Sequence, residues 1–96
     1  MFGRSRFRDV ISRQLDIFAA DETHGLIEDV HERKRLYDKA DREDAEDAYG
    51  DYVDAIDAVK DALADMRDRF AATLDEPEKY ERDFEDAARK RWRWLA

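Results

Sequence analysis

The sequence contains no cysteine and no asparagine, and it has only one proline and three glycines in 96 residues. Without cysteine there is no disulfide, no thiolate metal site and no thiol nucleophile. So few turn-forming residues also exclude a fold that is built from many β-hairpins. We therefore expect an all-α protein.

Long apolar runs are absent as well. The longest such run near the N-terminus is Ile17–Ala20. A membrane-spanning helix needs about eighteen or more apolar residues, and a signal peptide needs an apolar segment of about seven to fifteen. The sequence therefore predicts a cytoplasmic protein with no membrane partner.

Charge dominates the composition, since 46% of the residues are charged and the net charge is −8. Apolar residues still make up 43% of the chain, which is enough for a core and predicts a single helical domain over 1–96. Residues 1–15 carry +3 and residues 89–96 carry +4, whereas residues 16–88 carry −15. The basic ends can pair with the acidic body, within one chain or between chains. The same acidic body makes nucleic acid an unfavoured partner, because it repels phosphates.

The segment 41–68 has nine aspartates that recur at steps of three and four. Apolar residues with heptad spacing run through the same segment, which predicts one long amphipathic helix over about 42–74. With Tyr49 at heptad position a, the expected core positions a and d hold Tyr49, Ile56, Leu63, Phe70, Ala45, Tyr52, Val59, Met66 and Thr73. An acidic face at position f, formed by Asp47, Asp54, Asp61 and Asp68, is expected on the opposite side.

The remaining segments also show helical spacing. Residues 5–40 form either one bent helix or two helices separated by 21–25, and we favour two. Asp75-Glu76-Pro77 precedes a last helix that reaches about residue 95. The expected fold is thus an antiparallel helical bundle of three to four helices with one long central helix. Either the first two helices stack end to end along it, or a second chain covers its exposed length, and a homodimer is the expected oligomer.

One group of residues has metal-ligand spacing. His24, Glu28 and His31 would share one face of a continuous helix, and Glu-x-x-His occurs in di-iron carboxylate bundles. Such bundles need two motifs, so another chain would have to supply the second half of a site for iron or zinc. The alternative is that His24 ends a turn while His31 borders the core, and that no cofactor is bound.

The C-terminal segment interleaves basic and aromatic residues. In a continuous helix Trp92 and Trp94 point about 200° apart, so both cannot enter one core. Either the helix ends there, or one tryptophan packs outside its own bundle. Exposed aromatic and arginine side chains are typical of protein interfaces. The residues that we expect at such an interface are Phe2, Phe7, Arg91, Trp92 and Trp94.

No arrangement of nucleophile and base and no glycine-rich phosphate loop is present in the sequence. We therefore expect a non-enzymatic protein that acts through self-association or another protein–protein interaction. Two alternatives are a metal-binding bundle that uses Glu-x-x-His, and a protein that binds a basic protein through its acidic face.

Overall fold

The computed structural model describes residues 7–21 and 23–95. Over these residues the chain forms four α-helices, α1 (Arg8–Ala20), α2 (Leu26–Lys39), α3 (Ala45–Ala71) and α4 (Glu78–Arg91), followed by the 3-10 turn Arg93–Leu95, and no strand. The prediction of an all-α bundle with one long helix is confirmed, as is the division of 5–40 into two helices.

Helix α3 begins and ends slightly inside the predicted range of 42–74. At its start, the Asp41 carboxylate accepts the backbone N–H of Asp44 at 3.2 Å and closes a turn before the first helical residue. At its end, the Thr73 hydroxyl donates to the Phe70 carbonyl at 2.7 Å. The Asp44 N–H also donates to the Asp41 carbonyl, and the Phe70 carbonyl also accepts the Thr73 N–H, so each side chain reinforces a backbone turn.

The corner between α1 and α2 depends on Gly25 and His24. Gly25 has a φ of 62°, a left-handed conformation that glycine adopts without strain. The His24 Nδ1 atom accepts the backbone N–H of Leu26 at 2.9 Å, so this side chain caps the first turn of α2. Just before it, hydrogen bonds from Thr23 lower the pKa of the Asp21 carboxyl. These local contacts end one helix and start the next.

Helices α1 and α2 lie end to end along α3. Helix α2 packs on the first half of α3, where the rings of Tyr37 and Tyr49 are 5.3 Å apart. Helix α4 runs back along the second half of α3, and α1 packs beside α4, with Phe18 and Trp92 6.0 Å apart. The molecule is accordingly elongated, with extents of 52 × 24 × 21 Å. Of the described helices, α1, α3 and α4 form one half of the rod, and α2 and α3 form the other.

The core runs through both halves of the rod. Its fully buried side chains are Tyr80, Phe84, Val30 and Val59. Burying a large apolar side chain contributes about 1.5–3 kcal/mol, so these four anchor every helix pair that meets there. The buried Tyr80 hydroxyl donates a hydrogen bond to the Gln14 side-chain oxygen at 2.8 Å and ties α4 to α1.

Candidate functional site

The three residues with metal-ligand spacing do not share a helical face. Helix α2 begins at Leu26, so His24 precedes it and helical spacing applies only to Glu28 and His31. Both nitrogens of His24 are engaged, because Nδ1 accepts from Leu26 and Nε2 lies 3.0 Å from the Phe18 carbonyl oxygen as its donor. The expectation that His24 joins the other two residues on one face is therefore wrong.

The two remaining members of that set lie on the surface of α2. Glu28 and His31 are exposed, and the edge of the His31 ring meets Trp94 with centroids 6.5 Å apart. Within 7–21 and 23–95, no three histidine, aspartate or glutamate side chains are grouped so that they could hold a metal ion. The alternative interpretation, in which His24 ends a turn, matches the geometry.

Most of the expected aromatic interface is used inside the chain. Phe7 is only 7% exposed and packs against Tyr80, with ring centroids 5.5 Å apart. Trp92 is 8% exposed against Phe18. These two residues are therefore core side chains and not exposed interface anchors. Phe2 lies outside the described residues.

Both tryptophans face the same side because the helix ends before them. Helix α4 stops at Arg91, and Trp92 has an extended backbone. The 200° separation of a continuous helix therefore does not apply, and the rings of Trp92 and Trp94 lie 6.3 Å apart. Arg91 pairs with Asp16 of α1 and lies over the Trp92 ring at 5.2 Å. This contact holds the end of α4 against α1.

The acidic face is exposed, as expected. Asp47, Asp54 and Asp61 have no ion-pair partner among the described residues, whereas Asp68 pairs with Arg67 at 2.9 Å. A row of aspartates on a solvated helix face is also the ordinary arrangement of an amphipathic helix. Its position therefore does not distinguish a binding surface from a solvated one.

A different surface of α3 is left uncovered by the other helices that the structure describes. Tyr49, assigned by its heptad position to the core, is 51% exposed, and that assignment is wrong. Together with the half-buried Val53 and Ile56 it forms a row at steps of four and three, which we call the open stripe. The Tyr49 ring contacts Tyr37 of α2, with ring centroids 5.3 Å apart.

The open stripe continues along α3 into a region that α4 covers. The next positions at the same spacing are Lys60, Leu63, Arg67 and Phe70. Of these, Leu63 is buried and Arg67 pairs with Glu85 of α4. Phe70 is half-buried and packs on Tyr80 of α4, with ring centroids 4.8 Å apart. Helix α4 has 14 residues against 27 in α3, so it extends about 21 Å along a helix of about 40 Å. The same row of side chains is thus covered in its second half and uncovered in its first.

The end of α4 lies where the covering stops. Leu95, in the 3-10 turn that follows α4, lines a hollow together with Lys60, Leu63 and Ala64 of α3. Beyond this point α4 has turned out of the helix at Trp92. Val53 and Ile56 are half-buried on the half of α3 where α2 packs, and Ile56 also packs against the core.

Sequence reasoning missed this surface because it placed Tyr49 in the core and did not consider heptad position e. Position e holds Glu46, Val53, Lys60 and Arg67, a recurrence that the sequence displays. An apolar residue between charged ones at a flanking heptad position is a signal of a contact beyond the main seam.

Comparison of the chain with protein-family models, with curated proteins and with solved structures finds no match. In the part of the chain that the structure describes, no helix is long and apolar enough to cross a membrane. The function is therefore argued from the arrangement of the side chains alone.

Proposed function

We propose that this chain is a non-enzymatic cytoplasmic protein that works by self-association, and that the open stripe of α3 is the contact surface. The observation that carries the proposal is the unequal covering of one row of side chains. Where α4 covers the row, Leu63 is buried and Phe70 packs on Tyr80 of α4. Where α4 is absent, the Tyr49 side chain is half exposed although the row remains apolar.

A second copy is the occupant that suits this surface. Each copy has the same uncovered row, so an isologous contact removes two exposed stripes from water at once. Apolar area that leaves water contributes about 25 cal/mol per Å², and the stripe needs no conformational change because α3 is already a continuous helix. The contact would add a helix beside α3 where the bundle has only two.

Sedimentation velocity over a wide range of protein concentration tests the proposal. The wild-type chain should sediment as a dimer that dissociates on dilution. Val53→Glu places a charge in the middle of the stripe and should give a monomer of unchanged helicity by circular dichroism. Asp54→Lys, on the adjacent acidic face, is the matched control and should still dimerise.

A wild-type chain that stays monomeric at the highest concentration would overturn the proposal. A Val53→Glu variant that dimerises as well as the wild type would overturn the placement of the contact on the open stripe. Retained dimerisation of Asp54→Lys excludes a general effect of surface charge.

A further inference from the structure

Two opposite charges flank the open stripe at equal distances. Glu46 precedes Val53 by seven residues and Lys60 follows it by seven, so all three lie on one side of α3. The spacing corresponds to about 10.5 Å along the helix axis in each direction. Both charged side chains are exposed, and neither has an ion-pair partner within the described ranges 7–21 and 23–95.

This pattern is complementary to itself in one orientation only. If two copies of α3 run antiparallel about a two-fold axis at Val53, Glu46 of each copy lies level with Lys60 of the other. If the helices run parallel and in register, Glu46 meets Glu46 and Lys60 meets Lys60. Like charges in close contact are unfavourable, so the antiparallel arrangement is the one that the charges select.

We propose that two copies associate through α3 about a two-fold axis at Val53, with reciprocal ion pairs between Glu46 and Lys60. The inference rests on the self-association proposed above and specifies its geometry. Val53 contacts its own counterpart at the centre. Tyr49 of each copy is four residues from the axis and Ile56 of the other copy is three, so the two differ in level by only about 1.5 Å and the apolar residues of the stripe cover one another.

Gly50 supports a close approach of the two helices. It lies in the body of α3, where glycine lowers helix propensity, and a Cβ at this position would meet nothing within 4 Å in its own chain. Packing inside the chain therefore does not require a glycine here. In the antiparallel arrangement Gly50 lies level with Ile56 of the second copy, where a missing side chain lets the helices come closer.

The arrangement also fits the space that α4 leaves. The first turn of the second copy's α3 lies level with Lys60 and Asp61, next to the hollow that Leu95 lines at the end of α4. The second copy's α3 thus covers the row of side chains beyond the point where α4 ends.

A charge-swap experiment tests the geometry. In a dimer of Glu46→Lys each reciprocal pair consists of two lysines, and in a dimer of Lys60→Glu each pair consists of two glutamates. Each variant alone should therefore dimerise about tenfold more weakly than the wild type. Mixed together, the two variants should form a heterodimer, since every reciprocal pair is again of opposite charge. The double variant, Glu46→Lys with Lys60→Glu, should regain wild-type dimerisation. Native mass spectrometry distinguishes the species when one of the two variants is uniformly labelled with heavy nitrogen.

Two features keep the result interpretable. Glu46 is in the first turn of α3, where a lysine opposes the helix dipole, so circular dichroism must show unchanged helicity, and Lys60→Glu, in the helix interior, provides an independent measurement. Asp61→Lys changes charge on the acidic face and should not redirect pairing.

The failure of this geometry differs from the failure of self-association. If the wild type dimerises and Val53→Glu is monomeric, but the two charge variants show no preference for each other, the two-fold arrangement at Val53 is overturned while self-association stands. A monomeric wild type overturns both.

Discussion

The ring of His24 stacks on Phe18, with centroids 4.5 Å apart, and its Nε2 atom lies 3.0 Å from the carbonyl oxygen of the same residue. The other nitrogen caps α2 through Leu26. With Nδ1 as acceptor and Nε2 as donor, this hydrogen-bond pattern matches the tautomer that carries its proton on Nε2. One side chain thus joins the end of α1 to the start of α2.

Substitutions at His24 should separate these contacts. His24→Leu removes both hydrogen bonds and should lower the free energy of unfolding by about 1–2 kcal/mol. His24→Asn retains an acceptor for the Leu26 N–H and should cost less. Urea unfolding of the two variants and the wild type measures the difference.

Zinc tests the alternative role of the same residue, that of a metal ligand. If stoichiometric zinc raised the unfolding midpoint of the wild type and His31→Ala abolished that rise, the histidines would be ligands and the capping role would not be the whole account. We expect no such rise, since both nitrogens of His24 are already engaged.

Alanine substitutions at Gly25 and Gly50 should change the stability of the chain in opposite directions. Gly25 has a φ of 62°, so Gly25→Ala strains the backbone and should destabilise the chain by about 1 kcal/mol. Gly50 has open space around it, so Gly50→Ala should stabilise α3 by up to about 1 kcal/mol. Thermal unfolding in the Val53→Glu background measures both without a contribution from dimerisation. A stabilising Gly25→Ala would contradict the assignment of the α1–α2 corner.

Tyr80 should make stability depend on alkaline pH. Burial raises the pKa of the Tyr80 phenol, and the hydrogen bond to Gln14 opposes this in part. An unfolded tyrosine has a pKa of about 10, so the stabilising contribution of the bound proton is complete below about pH 10 and is lost as the pH rises through the higher folded pKa.

Tyr80→Phe is the matched variant for this titration. It removes the hydrogen bond to Gln14 and should cost about 1 kcal/mol at neutral pH. The loss of stability above about pH 10 should become smaller than in the wild type. Urea unfolding at several pH values measures this, and an identical alkaline loss in both proteins would assign it to other groups.

The two tryptophans should differ in their contributions to stability. Trp92 is buried against Phe18, so Trp92→Ala should cost about 3–5 kcal/mol. Trp94 is only partly buried beside His31, so Trp94→Ala should cost less than half as much. Iodide should quench the fluorescence of Trp94 more than that of Trp92 when each is the single tryptophan, with phenylalanine replacing the other. Equal quenching would contradict the observed end of α4.

Local spacing was sufficient to predict the helices and their faces. Steps of three and four along 41–68 predicted α3 and put Asp47, Asp54 and Asp61 on its exposed side, because helical geometry alone decides which residues share a face. The rarity of turn-forming residues and the break around Gly25 depend likewise on neighbours in sequence. These features needed no information about which helices pack together.

Only the tertiary structure decided which core-type residues are covered. Tyr49 and Leu63 occupy the same heptad position, yet Tyr49 is exposed and Leu63 is buried, because α4 turns away at Trp92 before it reaches the first half of α3. His24 caps α2 for a similar reason, since α2 starts two residues after it and its ring packs on Phe18, six residues earlier. The periodicity of a helix shows which residues could be buried, but the length and position of its neighbours determine which ones are.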